Sequence, residues 1–357
     1  MSRSSDFATC IVRWQKQHGR NHLPWQVRDP YRVWLSEIML QQTQVTTVLG
    51  YFARFVQRFP DVTALAAATL DEVLALWSGL GYYSRARNLH RCAQAVVAQH
   101  GGQFPQDAQT LATLPGIGRS TAAAIASLCF AERVAIMDAN VRRVVSRVAG
   151  FEGDLAQAAQ ERALWQRATD LLPQPQHAAR DMPAYTQGMM DLGAMLCTPR
   201  RPRCTDCPVS EACVAQRLGA PERFPVKTRK LKRSALSLWL VLARTADGQV
   251  WLAPRPTPGV WAGLYCLPLF ESHEAMRQAL ESGPAGQAVR DAQWMAGEVL
   301  THVLTHKDLH LHFWHLDLSA AVAGQRLQAQ GQWVATADWP KLGLPAPIRK
   351  YLERQAR

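Results

Sequence analysis

Leu114-Pro115-Gly116-Ile117-Gly118-Arg119-Ser120-Thr121 decides the fold of the first half of this chain. A helix ends at this point, two glycines allow a tight turn, and Ser120 with Thr121 opens an alanine-rich helix whose apolar stripe includes Ile125, Leu128 and Cys129. The pattern predicts two helices joined by a hairpin. Glycine lets backbone come close to a bound group, and the free N–H groups at the second helix's start suit an anion. Gly116, Gly118 and Ser120 are therefore candidates for holding a phosphate. An ordinary helical hairpin is the competing reading, and the Gly-x-Gly at the helix start argues against it.

Upstream, Asp29 and Pro30 read as an N-cap and a first-turn proline, which begins a helix near Tyr31 that runs into the glutamines at 41 and 42. Glu37 then has Val33, Trp34, Ile38 and Leu40 as helical neighbours, a carboxyl on an otherwise apolar face. Desolvation raises a carboxyl pKa, and a carboxyl that keeps its proton near neutral pH can act as a general acid. The alternative is a glutamate at the stripe's edge, paired with an arginine. Downstream, Asp138 in Ile136-Met137-Asp138-Ala139-Asn140-Val141 precedes a helix marked by Val141, Val144, Val145 and Val148. An aspartate there is most often just an N-cap, and a helix N-terminus also keeps a carboxylate ionised. Glu37 and Asp138 form a candidate pair, one protonated and one charged, as expected for cleaving a bond to a sugar carbon.

The rest of the first half also shows helical spacing. Phe7, Cys10, Ile11 and Trp14 predict a short helix stopped by Gly19, and segments 48–59, 65–77 and 85–98 follow. Between the last two lies Gly79-Leu80-Gly81-Tyr82-Tyr83-Ser84-Arg85-Ala86-Arg87, whose tyrosines could stack on bases while its arginines hold phosphates, or could simply pack a helix start. Cys197, Cys204, Cys207 and Cys213 stand at intervals of six, two and five residues. Four thiolates from one short segment suit a [4Fe–4S] cluster, whereas structural zinc more often takes two close pairs separated by a longer loop. Arg200, Arg201 and Arg203 lie within that loop.

The 357 residues allow two domains, and 48% apolar content excludes a disordered or fibrous chain. No apolar run approaches the roughly 20 residues a membrane span needs, and the N-terminus lacks a signal peptide's hydrophobic segment, so a cytosolic protein is expected. A formal charge of +12 favours a polyanionic partner, a merely basic surface being the alternative. After Cys213 the composition changes. A charged, proline-bearing stretch from Pro221 to Arg233 reads as a linker. Leu236–Leu242 and Gln249–Ala253 then flank Asp247-Gly248 as a hairpin, Leu309, Leu311 and Phe313 alternate with polar residues, and Pro347 to Leu352 reads as a helix. His302, His306, His310, His312 and His315 could suggest a metal, but most of them fit the polar face of a strand. The expected division is a helical domain over 1–217, a linker over 218–234 and a smaller α/β domain over 235–357.

Taken together, Glu37 in Ser-Glu-Ile-Met-Leu-Gln-Gln-Thr-Gln-Val, the Leu-Pro-Gly-Ile-Gly hairpin, Asp138 with Asn140, and the four-cysteine loop resemble the helix-hairpin-helix DNA glycosylases. Trp261-Ala262-Gly263-Leu264-Tyr265 and the sheet that follows are similar to the Nudix-like C-terminal domain of that family's adenine-removing branch. The resemblance implies an all-α glycosylase domain with an iron–sulfur loop at 197–213, followed by a Nudix-like α/β domain. It implies a monomeric enzyme that flips adenine mispaired with 8-oxoguanine or guanine out of double-stranded DNA and hydrolyses its N-glycosidic bond, leaving an abasic site. By the same resemblance Glu37 protonates the base, Asp138 stabilises the oxocarbenium-like sugar and Asn140 helps hold the site. Leu23, Trp25, Leu40, Gln187 and Met190 match the base pocket, Gln42 and Tyr82 the wedge beside the lesion, and Thr305 and His306 the lesion-contacting loop. Cys197, Cys204, Cys207 and Cys213 match the ligands of one [4Fe–4S] cluster.

Two departures from the family pattern stand out. Ala139 replaces the usual glycine between the aspartate and the asparagine, and Leu304 replaces the phenylalanine that stacks in the lesion loop. Competing functions fare less well. A Nudix hydrolase needs a glutamate-rich metal box, and residues 263–283 contain no such run. A non-catalytic DNA-binding protein would share the hairpin and the charge but have no need of Glu37 with Asp138. A thymine or uracil glycosylase would share most of the N-terminal half but typically not the C-terminal domain.

Overall fold

The first part of the chain is helical, and Asp29, Thr69, Asp107 and Asp138 each cap the start of one of its helices. In order the helices are α1 (Arg3–His18), α2 (Pro30–Leu40), α3 (Val45–Arg58), α4 (Val62–Ala67), α5 (Leu70–Trp77), α6 (Ser84–His100), α7 (Ala108–Leu111), α8 (Arg119–Phe130), α9 (Ala139–Ala149), α10 (Ala158–Asp170), α11 (Ala178–Met195) and α12 (Val214–Arg217). The computed structural model describes residues 3–228 and 233–356. α2 starts as expected, with the Asp29 carboxylate accepting from Tyr31 N at 2.9 Å and Pro30 in the first turn. It stops at Leu40, short of the expected glutamines, and Gln42 sits in the left-handed region at φ 57. The helix expected over 65–77 is two helices, because Thr69 and Glu72 close a capping box that restarts the chain as α5. α10 and α11 were not foreseen. α11 contains Pro183, and its run from Tyr185 to Gly193 is buried on every side, so no one-sided stripe marks it.

The hairpin forms between α7 and α8. Gly116 adopts φ +76, and a Cβ there would lie 2.5 Å from Asn88 Cβ, so both backbone angle and space demand glycine. α1, α8, α9 and α11 share one apolar core that includes Ile11, Ala123, Val144, Met182 and Leu192. Val141, Val144, Val145 and Val148 bury α9 in it. Each such side chain contributes about 1.5–3 kcal/mol relative to exposure, which anchors the residue that caps this helix.

The C-terminal residues build a seven-stranded sheet around β1 (Ser234–Thr245). With β2 (Val250–Pro254), β3 (Tyr265–Cys266), β4 (Leu269–Phe270), β5 (Trp294–Val303), β6 (Lys307–Leu318) and β7 (Gln332–Val334), the main order is β3-β2-β1-β6-β5. β1 and β6 run parallel from Ser234↔Lys307 to Thr245↔Leu318, while the other pairings are antiparallel. β1 and β2 form the expected hairpin. Helices α13 (His273–Glu281), α14 (Gly286–Asp291) and α15 (Ala346–Gln355) complete this part, and Val241, Trp251, Met276, Leu280 and Leu316 lie in its core.

The chain resolves into two units, Met1–Ala67 with Asn88–Lys230 and Ala68–Arg87 with Leu231–Arg357. Segment 68–87, expected with the helical domain, thus groups with the sheet. The reason lies in tertiary contacts: Ser78 Oγ and Tyr83 Oη donate to Leu344 O at 2.9 and 3.2 Å, and Arg87 Nη1 donates to Ala262 O at 2.6 Å. The expected linker behaves differently from a free tether through Thr228. Phe224 is buried, Leu155 N donates to Val226 O at 3.1 Å, and Thr228 N donates to the Asp154 carboxylate at 3.2 Å. Linker residues 229–232 lie outside the described residues. Among the described residues no helix is long and apolar enough to cross a membrane.

Candidate active site

Glu37 sits half-buried on α2, whose remaining inward positions Tyr31, Val33, Trp34, Leu35, Ile38 and Met39 are buried. Desolvation, and secondarily the negative charge of Asp138, push its carboxyl up to about 7. The arginine-paired alternative is not what the structure shows, since among the described residues Glu37 forms no ion pair. Glu37 lines a cavity that gathers five other residues named from the sequence: Leu23, Trp25, Leu40, Gln187 and Met190. Arg20, Gln26, Val33, Ser36, Val45 and Leu128 complete its lining. Apolar walls with a few converging polar groups are the usual make-up of a small-molecule site.

Asp138 lies outside that lining, at the cap of α9, where its Oδ1 accepts from Val141 N at 2.6 Å. Burial raises its pKa, while the Val141 and Asn140 N–H groups and then Arg143 and Arg20 pull it back. Burial raises both carboxyls, but only Asp138 has N–H donors and nearby cations that partly offset it, so the two differ in environment. Ser120 Oγ accepts from Met137 N at 3.0 Å, tying the hairpin to the residue before Asp138. Asn140 Oδ1 accepts from Arg143 Nη2 at 2.9 Å, and Arg143 also donates to Gly193 O and Cys197 O, each at 2.6 Å. A Cβ on Gly193 would lie 2.6 Å from Asn140 Cβ, so glycine there allows α11 to meet the start of α9.

Cys197, Cys204, Cys207 and Cys213 line one cavity, together with Val144, Arg147 and Val148 of α9. The thiols are free, and burial pushes Cys207 up to about 12. Arg147 is nearly inaccessible and donates through Nη1 to Cys197 Sγ at 3.3 Å and to Thr198 O at 2.7 Å. Its Nε reaches Pro221 O at 2.8 Å and its Nη2 reaches Pro199 O at 3.0 Å. One cation thus ties the start of the cysteine loop to Pro221, beyond the loop's end. Among the described residues no three His, Cys, Asp or Glu side chains gather about a single metal point.

In the other unit, the Tyr82 hydroxyl and Thr305 Oγ1 are hydrogen-bonded, which joins two residues named separately from the sequence. Tyr82 sits at φ 48, and Arg85 lies over its ring at 5.3 Å. Thr305 and His306 occupy the turn between β5 and β6, closed by Leu304 N donating to Lys307 O at 2.8 Å. Other histidines have neighbours of their own: His312 stacks on Trp239 at 4.7 Å, and His315 hydrogen-bonds the Tyr351 hydroxyl at 2.7 Å.

Comparison with known proteins places these features. Residues 35–169 match the HhH-GPD superfamily base excision DNA repair protein model, and residues 239–354 match the NUDIX domain model. An adenine DNA glycosylase of Buchnera aphidicola (subspecies Schizaphis graminum) is 33% identical over 97% of this chain and 98% of its own length. The chain belongs to the adenine DNA glycosylase family. The human adenine DNA glycosylase is 34% identical over 91% of this chain and 67% of its own length. The structure of a thermostable thymine-DNA glycosylase aligns with a TM-score of 0.52 and 27% identity, covering 60% of this chain and 97% of that one. As a member of this glycosylase family the chain is an enzyme, a hydrolase of N-glycosyl bonds in DNA, built from a helical glycosylase domain and a Nudix-like sheet domain.

Four charged residues in contact with these side chains were not singled out from sequence. Arg143 and Arg147 are arginines buried among the valines of α9, and that contrast was their signal. Arg20 and Asp191 form a 2.6 Å ion pair beside the cavity, and only a lone aspartate in Met189-Met190-Asp191-Leu192 hinted at it.

Proposed function

We propose that this glycosylase removes adenine mispaired with 8-oxoguanine or guanine in duplex DNA and leaves an abasic site. The observation that carries the reading is a Glu37 carboxyl whose pKa is raised to about 7 by burial and by the charge of Asp138, on the wall of a largely apolar cavity. A purine leaves its sugar readily once a ring nitrogen is protonated. Glu37 delivers that proton to N7, and the ionised Asp138 stabilises the positive charge that develops on the sugar. Asn140, steadied by Arg143, borders the same carboxylate. Leu23, Trp25, Leu40 and Met190 sandwich the base, and Gln187 reads its edge.

The hairpin glycines and the N-terminus of α8 hold a phosphate, and the exposed Gln42 and Tyr82 wedge into the stack. Thr305 and His306 read the lesion edge. A hydroxyl at Ser120 offers no amine for Schiff-base formation, which supports base removal without strand cleavage. Cys197, Cys204, Cys207 and Cys213 hold one [4Fe–4S] cluster. Four thiols around one cavity, with Arg147 donating to a sulfur, suit a polynuclear centre. When bound, the cluster supplies a rigid clamp for the basic loop around Arg200, Arg201 and Arg203. The enzyme acts as a monomer on chromosomal DNA in the cytosol.

The test is adenine release measured across duplexes with adenine opposite 8-oxoguanine, guanine, cytosine and thymine. Release opposite 8-oxoguanine and guanine and not opposite thymine supports the reading, and release of thymine or uracil in place of adenine overturns it.

A further inference from the structure

Asp191 is wholly inaccessible, yet its carboxylate touches the wall of the base cavity through Gln187. It accepts from Arg20 N at 3.0 Å, from Arg20 Nε at 2.6 Å and from Gln187 Nε2 at 2.8 Å. A carboxylate only accepts, so the NH₂ half of the Gln187 amide must face Asp191. The carbonyl half is left for the cavity that Gln187 lines, and among the described residues it accepts no hydrogen bond. Free rotation of the amide would offer a donor or an acceptor equally well. The buried charge removes that choice.

We propose that Asp191 is a positioning residue that sets base specificity: by fixing Gln187 Oε1 toward the bound base it selects a purine carrying an amino group at C6 and rejects one carrying a carbonyl there. This rests on the adenine reading above. A 6-amino group donates to the fixed carbonyl, whereas a 6-oxo group sets two acceptors against each other. A site built around one hydrogen-bond polarity discriminates more sharply than shape alone, because the mismatched base leaves buried polar atoms unpaired.

The test compares single-turnover excision of adenine and of hypoxanthine, a 6-oxopurine, from the same mispair by one preparation of full-length enzyme. Their ratio is independent of the active fraction, so partial misfolding of a variant does not mask the result. Asp191→Ala is expected to lower the adenine-to-hypoxanthine ratio by about tenfold or more. Arg20 keeps solvent access in that variant, its side chain being 24% exposed. Asp191→Asn should lower the ratio less than Asp191→Ala does, because one amide oxygen can take the place of Oδ1, which accepts from both Arg20 Nε and Gln187 Nε2, although its NH₂ then meets Arg20 N. In a Gln187→Met background, Asp191→Ala should leave the ratio unchanged. An unaltered ratio in Asp191→Ala overturns the proposal, as does an equal fall in the Gln187→Met background. A wild-type enzyme that releases no adenine from any mispair overturns the adenine reading itself and this proposal with it.

Discussion

Ser120 Oγ accepts a hydrogen bond from Met137 N at 3.0 Å, which couples the first turn of the hairpin's second helix to the residue preceding Asp138. Ser120 was expected to serve phosphate binding, and its oxygen has this second task. Ser120→Ala should cost about 0.5–1.5 kcal/mol of stability and slow base excision several-fold by loosening Asp138, measured by thermal denaturation and single-turnover kinetics. Borohydride should trap little wild-type enzyme on DNA. Efficient trapping would show that some amine of the enzyme forms a Schiff base with the sugar, so that the reaction does not stop at base removal.

Glu37 makes folding pH-dependent in a stated direction. Its pKa is raised from 4.5 to about 7, so folding favours the protonated form. Below the ordinary value there is no penalty; as pH rises toward 7 the folded state loses stability relative to a variant without the charge, and above 7 the loss is constant. Glu37→Gln should therefore match wild type near pH 4 and exceed it by up to about 3 kcal/mol at pH 8, read from denaturant midpoints at both values. Equal stability at pH 8 would contradict the burial of this carboxyl.

How much of this site was legible follows from how local each cause is. Glu37 and Asp138 could be found because caps and apolar neighbours lie within a turn of each. The Arg20–Asp191 pair could not, since its members stand 171 positions apart and only the packing of α11 joins them. The same holds for segment 68–87, which reads as helix from spacing but whose partners, Leu344 and Ala262, come from the far end of the chain. The hairpin was legible to the residue because Gly116 has both a positive φ and no room for a side chain. α11 escaped because burial on all sides erases the periodicity that marks a helix.

Segment 68–87 gives a prediction about truncation. A chain cut after Thr228 keeps α1 to α12 but lacks Leu344 and Ala262, the acceptors of Ser78, Tyr83 and Arg87. Losing these bonds should speed tryptic cleavage at Arg85 and Arg87 by about tenfold or more relative to the full chain, by mass spectrometry of limited digests. Equal protection in the truncated chain would mean that the helical residues alone hold this segment.

The cysteine loop gives another. Purified enzyme should be brown and carry about four irons per chain. Cys204→Ser should weaken duplex binding more than it lowers helical ellipticity if the proposed cluster holds the basic loop, because α9 and α11 are held by their own core. A colourless, fully active preparation containing zinc would show that the four cysteines serve a different metal.

The most direct measurement is single-turnover release of adenine from a duplex with adenine opposite 8-oxoguanine, by wild type and by Glu37→Gln, with duplex affinity measured alongside. The amide keeps the shape and hydrogen bonding of the carboxyl but has no proton to give. Wild type should release adenine, and Glu37→Gln should be slower by about 10² to 10⁴ with affinity unchanged. A Glu37→Gln rate within about tenfold of wild type would contradict the assignment of Glu37 as the general acid.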